Sequence, residues 1–244
     1  MNEAAVRTLR ALIAGAQRIV FFGGAGVSTE SGIEDFRSES GIYAARNKYG
    51  LSPELMLSHS FFEQYPEQFF DYYRSTLSRT GFEPNAAHRA LAKLEREGKL
   101  TAVITQNVDN LHQLAGSVNV LELHGSAYRN YCVRCGKSYS IEHINESEGV
   151  PRCECGGTVK PDVVLYGESL DYDVMTAAIA QLRRADLLIV GGTSLVVYPA
   201  ASLVSYYGGS DIVLINKSAT SLDESAGLVI REPIGEVLAA AVGI

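Results

Sequence analysis

The chain has 244 residues, a formal net charge of −7, 46% hydrophobic residues and 20% charged residues. That hydrophobic share can fill a sizeable core and excludes wholesale disorder. The acidic balance argues against a nucleic-acid surface, which needs a basic footprint.

Val6, Leu9 and Ile13 share one helical face, with Leu12 beside it and Gly15 as a stop. Residues 19–22 form a short apolar run, a buried strand that enters the turn Gly23-Gly24-Ala25-Gly26. Residues 40–81 are rich in Tyr and Phe and punctuated by Pro53 and Pro66, which predicts short helices inserted after the first strand. Residues 84–97 predict a helix with Ala87, Leu91 and Leu94 on one face and Gly98 at its end. Strand-length runs follow at 101–105 and 118–123, then a polar stretch at 131–157 that holds all four cysteines. Residues 173–184 predict a helix, and 187–190, 212–215 and 228–230 predict strands. The alternation of strands with helices predicts an α/β fold, a mostly parallel sheet covered on both faces and interrupted by two insertions. No apolar run reaches the ~18 residues of a membrane span, and Met1-Asn2-Glu3 begins no basic-then-apolar leader. A cytoplasmic, reducing setting is therefore expected, where clustered cysteines favour a metal over a disulfide.

Two motifs carry chemistry by themselves. The turn after the first strand can bring backbone close to a pyrophosphate, but the full G-x-G-x-x-G fingerprint is absent: counted from Gly24, its last position is Thr29. An ordinary tight strand-to-helix turn reads equally well. Cys132-Val133-Arg134-Cys135 and Cys153-Glu154-Cys155 are separated by 17 residues, which suits tetrahedral zinc better than free thiols or a redox pair. Four protein ligands leave no open position, so such a zinc is structural.

Several stretches together resemble the sirtuin family. Residues 24–28 and 31–38 resemble its GAGxSxxSGIPDFR signature, with Glu34 where proline is usual. Residues 105–112 resemble TQNxDxLH, and Leu123-His124-Gly125 resembles the HG motif just before the cysteine pairs. Residues 161–168 resemble PxVVxFGE, and Gly192-Thr193-Ser194-Leu195 with Ile215-Asn216 resemble the late cofactor motifs. The matches stand in family order over residues 18–216.

The resemblance implies a Rossmann-like large domain (1–39, 86–128 and 161–244) and a small domain built from a helical insertion (40–85) and a zinc-ribbon-like insertion (129–160). NAD is implied as co-substrate, contacted by Ala25, Thr29, Phe36, Arg37, Gln106, Asn107, Val108, Asp109, His124, Thr193, Ser194, Asn216 and Ile234. Val164, Tyr166, Gly167 and Val197 would hold an acetyl-lysine peptide by strand addition. Cys132, Cys135, Cys153 and Cys155 would hold one structural zinc. His124 would be the catalytic base; histidine suits that role because it titrates near neutrality, whereas a lone strand-end histidine read by itself is more often structural. His112 is implied to be structural. The implied activity is removal of acetyl groups from protein lysines, giving nicotinamide, acetyl-ADP-ribose and free lysine. Tyr72, with Ser75 three residues on, offers no cation for an acidic acyl group, so a neutral acyl group is expected. The competing readings are a protein ADP-ribosyltransferase or NAD glycohydrolase, a non-catalytic NAD-sensing module and a Rossmann dehydrogenase. A monomer that binds neither nucleic acid nor membrane completes the expectation.

Overall fold

The computed structural model describes residues 1–34 and 49–244, so the expected cofactor residues Phe36 and Arg37 and the start of the helical insertion lie outside the described residues. Helix α1 (Glu3–Gly15) begins at Asn2, whose side chain accepts the Ala5 amide, and buries Val6, Leu9 and Ile13 as its period predicts. Six strands form one parallel sheet: β1 (Ile19–Gly23), β2 (Leu100–Thr105), β3 (Val120–Glu122), β7 (Leu187–Gly191), β8 (Asp211–Ile215) and β9 (Leu228–Ile230). Their order is β3-β2-β1-β7-β8-β9.

β1 is buried along its whole length, as expected of a central parallel strand with both faces covered. Ile19 and Phe21 face a core shared with α1, α5 (Ala86–Arg96) and α9 (Ile234–Val242), whereas Val20 and Phe22 face the opposite core with α8 (Tyr172–Arg184) and the 3-10 segment Ala200–Tyr206. Helix α9 was not among the expected elements. Ala239 and Ala240 on its outer side give almost no polar contrast, so its sequence carries little amphipathic signal.

A second, three-stranded antiparallel sheet has the order β5-β4-β6, from β4 (Gly125–Cys132), β5 (Ser138–Tyr139) and β6 (Val159–Val163). These strands were hidden in sequence by Pro161, which reads as a break, and by the turn residues around the cysteines. Helices α2 (Pro53–Met56), α3 (His59–Gln64) and α4 (Pro66–Thr76) supply the aromatic residues Phe61, Phe62, Phe69, Phe70 and Tyr73. Both Pro53 and Pro66 stand at the first helical turn, where a missing N–H costs nothing. The aromatic side chains pack with Cys132, Ile141, Ile144, Val159 and Val163, so the helical and cysteine insertions share one core. Arg74 joins them further, donating to the carbonyls of Ile144 (2.8 Å) and Gly149 (2.6 Å).

Candidate active site

Parallel register places the candidate residues together. Gly23 is paired with Thr105 and Gly191, Thr105 with Glu122, and Gly191 with Ile215, so the carboxyl ends of five strands lie at one level. The segments leaving that edge are 24–29, 106–109, 123–124, 192–194 and 216. Because β2 and β7 flank β1 on opposite sides, the chain reverses direction there, and such a switch point opens a ligand crevice.

The turns after β1 and β7 pack backbone against backbone. The Gly26 amide donates to the Gly192 carbonyl at 2.8 Å, and a side chain at Gly26 would meet the Gly192 Cα at 2.8 Å. Gly192 itself adopts φ +59°. Ala25 lies in the first 3-10 turn (Ala25–Val27), and the Thr29 hydroxyl donates to the Gly26 carbonyl at 3.0 Å. Thr193 is buried, and its hydroxyl accepts the Gln106 side-chain amide (3.0 Å) and the Leu195 amide (3.2 Å). Ser194 is exposed, and Asn216 is fixed by its amide on the Ile230 carbonyl (3.0 Å) and its side chain on Ser218 (2.8 Å). Ile234 begins α9 with its side chain in the core against Gly191. Among the described residues, the non-glycine residues with left-handed backbone are Asn110 (φ 63°) and Leu195 (φ 54°), directly after Asp109 and Ser194. Such strain costs on the order of 1–3 kcal/mol and tends to gather at functional sites.

His124 lies between β3 and β4. Its Nδ1 is 3.0 Å from the Gln106 carbonyl oxygen. A carbonyl only accepts, so Nδ1 carries the proton and Nε2 keeps its lone pair. Burial lowers the His124 pKa below the usual 6.5, against a smaller opposing effect of the Gln106 carbonyl. The ring is therefore a neutral base at neutral pH. Gly125 beside it adopts φ +74°, and a side chain there would strike the Asp162 carbonyl, so glycine is required at the first pair of β4 with β6.

Asp109 is half-buried, and no cation pairs with it among the described residues. Its Oδ2 accepts the Ser28 hydroxyl (2.6 Å) and its Oδ1 the Leu111 amide (3.0 Å). Burial raises its pKa and these hydrogen bonds oppose the rise. Ser28 in turn accepts the Asn107 side-chain amide (3.1 Å), which makes an Asn107–Ser28–Asp109 chain. Val108 is anchored between them by the Ala127 amide on its carbonyl (3.0 Å). Ser28 belongs to the first motif, but its burial next to Asp109 is a tertiary fact with no local signal. Asn85 has no local signal either, and its side chain donates to the Val27 carbonyl (2.7 Å) and the Ser31 hydroxyl (3.1 Å). Glu30 likewise accepts the Gly235 amide (2.8 Å) and joins the turn after β1 to the start of α9. These donors and acceptors at a glycine-lined switch point fit a dinucleotide.

The four cysteine sulfurs lie within 4.8 Å of one another, with Cys132–Cys155 at 3.5 Å and Cys135–Cys153 at 3.6 Å. Zinc bound tetrahedrally at about 2.3 Å gives sulfur–sulfur edges of about 3.8 Å, whereas a disulfide needs about 2.05 Å. The cysteines are free and fit one four-coordinate zinc. The residues after β6 form an extended segment: the Val164 amide donates to the His124 carbonyl (3.0 Å), and Tyr166 forms a parallel bridge with Ser58. Val197 lies beyond β7, its carbonyl accepting the Ala201 amide (2.9 Å). Tyr72 is 2% exposed, and the Ser75 hydroxyl donates to its carbonyl. The neighbouring guanidinium of Arg74 is taken up by the carbonyls of Ile144 and Gly149.

Residues 24–199 match the model of the Sir2 family. An NAD-dependent protein deacetylase of Clostridium perfringens (strain 13 / Type A) is 57% identical over 235 residues, 96% of each chain. A crystal structure of a Sir2 homolog–NAD complex superposes with a TM-score of 0.87 at 40% identity, covering 97% of this chain and 92% of that one. A Sir2 variant with deacetylated p53 peptide and 3'-O-acetyl ADP ribose gives 0.87 at 39% identity, covering 98% and 97%.

Proposed function

Because the chain belongs to the Sir2 family, we infer that it is an NAD-dependent protein-lysine deacetylase. With one water consumed, it moves an acetyl, or other neutral acyl, group from a lysine side chain to the ADP-ribose part of NAD and releases nicotinamide and free lysine. The observation that carries this reading is the tautomer of His124, a half-buried neutral imidazole whose Nε2 lone pair stands at the carboxyl edge of the sheet. When bound, NAD supplies a ribose carbon made reactive by nicotinamide as leaving group. The chain's own residues do the rest. His124 Nε2 takes the proton from a ribose hydroxyl so that its oxygen can receive the acyl group. Asp109, held by Ser28 and the Leu111 amide, presents a carboxylate to the nicotinamide amide beside Asn107 and Val108. Gln106 and Thr193, bonded to each other, meet the ribose and phosphates together with Ala25, Thr29, Phe36 and Arg37. Ser194 and Asn216 serve the adenosine side, and Ile234, its side chain committed to the core, contributes there by its backbone. Val164, Tyr166, Gly167 and Val197 line the peptide groove.

The large unit comprises 1–39, 86–128 and 161–244, and the small unit 40–85 and 129–160. Cys132, Cys135, Cys153 and Cys155 hold one zinc that stabilises the small unit without joining the reaction. No helix among the described residues is long and apolar enough to cross a membrane. We assign the protein to the cytoplasm as a monomer without nucleic-acid or membrane partners, a reading supported by its charge of −7.

Incubation with NAD and an acetyl-lysine peptide tests the reaction. Nicotinamide, acetyl-ADP-ribose and deacetylated peptide are expected in equal amounts and only when peptide is present. Nicotinamide without peptide would show a glycohydrolase, and ADP-ribosylated protein without acetyl-ADP-ribose would show a transferase.

A further inference from the structure

The segment that follows β6 is held from the helical insertion. Tyr166 donates its amide to the Leu57 carbonyl (3.0 Å), and its own carbonyl accepts the His59 amide (2.9 Å). Glu168 closes the segment on itself, because its Oε2 accepts the Leu165 amide (2.8 Å) while the Glu168 amide donates to the Leu165 carbonyl (2.9 Å). Two cations or donors grip the same carboxylate. Lys160, buried at 6% exposure, reaches Oε2 at 3.2 Å and also donates to the Val163 carbonyl at 3.0 Å. His59 Nδ1 donates to Oε1 at 2.8 Å, while its Nε2 lies 3.4 Å from Glu63. Burial works to raise the Glu168 pKa, but the Leu165 amide, His59 and Lys160 outweigh it and keep the carboxyl below its usual range.

The amides of Val164, Leu165 and Tyr166 are thus consumed internally. The Val164 carbonyl and the Gly167 amide have no partner among the described residues and are left open to backbone pairing. An extended peptide that adds to such an edge binds through its backbone, and it binds more tightly when the edge is ordered beforehand.

We propose that His59 is a positioning residue for the peptide substrate: acting through the Glu168 carboxylate, it fixes residues 164–167 as the edge that receives an acyl-lysine peptide. This rests on the deacetylase reading above. His59 touches neither peptide nor NAD. It transmits the placement of α3 to the groove, while Lys160 transmits that of β6, so the two insertions jointly set the groove.

The test compares the intact protein with His59→Leu, which removes the donor, and His59→Asn, whose side-chain amide replaces Nδ1–H. The readouts are the Kd of a fluorescent acetyl-lysine peptide, KM for peptide and for NAD, kcat and thermal unfolding. His59→Leu is expected to weaken peptide binding and raise the peptide KM about tenfold, a loss of ~1.4 kcal/mol. Its kcat at saturating peptide and its KM for NAD should stay within about twofold, and His59→Asn should restore most of the peptide affinity. An unchanged peptide Kd in His59→Leu overturns the proposal. So does a joint loss of kcat and NAD affinity that His59→Asn fails to rescue, which marks a general structural role. If the unsubstituted protein binds no acetyl-lysine peptide, the deacetylase reading itself falls and takes this inference with it.

Discussion

At the scale of single residues, the site depends on which atom of His124 holds the proton. The Gln106 carbonyl fixes that choice, so His124→Ala should lower kcat about 10²- to 10⁴-fold while thermal unfolding and zinc content stay unchanged. The pH profile should follow from the direction of its pKa. The base works unprotonated, and burial disfavours the cation, so kcat/KM should rise with pH and reach half its plateau below 6.5. A midpoint above 6.5 would contradict the buried neutral base. His124 was legible in sequence only through its company, the HG pair and the preceding TQNxDxLH stretch. Ser28, Glu30, Asn85, His59 and Lys160 were not legible as parts of the site, because each acts across long sequence separations and has no periodic or local pattern of its own.

Among the elements, the cysteine module was the easiest to read and the sheet around it the hardest. Cysteine spacing reports ligand geometry directly, whereas β6 runs through Pro161 and β4 carries mixed polar and apolar residues with an irregular register between Ser126 and Asn130. The parallel strands were legible as apolar runs because burial on both faces removes alternation. One zinc per chain should be found by metal analysis, and Cys153→Ala should lose it and destabilise the small sheet by at least about 4 kcal/mol, read as protease sensitivity of residues 125–163. Gly125→Ala should cost at least about 1 kcal/mol and abolish most deacetylation while zinc is kept, because the added carbon meets the Asp162 carbonyl next to the base. Full activity in Gly125→Ala would show that the close pairing at this position is unimportant.

Over the whole molecule, the large unit hides two histidines whose rings lie 4.7 Å apart, His88 and His112. Burial, with a smaller push from Arg89, lowers His88 to about 4, and burial with the neighbouring His88 holds His112 well below 6.5. Neither nitrogen of His112 has a hydrogen-bond partner among the described residues. In the unfolded chain both rings take up protons near 6.5, so between that pH and about 4 the unfolded state binds more protons than the folded one. Stability is therefore full above 6.5 and falls as the solution is acidified through this window, by on the order of 3 kcal/mol for His88 alone. His112→Phe, which fills a similar volume without titrating, should partly flatten the fall in unfolding temperature between pH 6.5 and 4; an unaltered profile would show that His112 does not contribute to acid sensitivity. The chain leaves the parallel sheet at Glu122 and enters the antiparallel one at Gly125. His124 is thus half of a two-residue joint, braced from one side by the Gln106 carbonyl and from the other by the Val164 amide. Any rocking of one sheet on the other would swivel the imidazole directly, so the proposed proton acceptor is carried on the link between the two sheets.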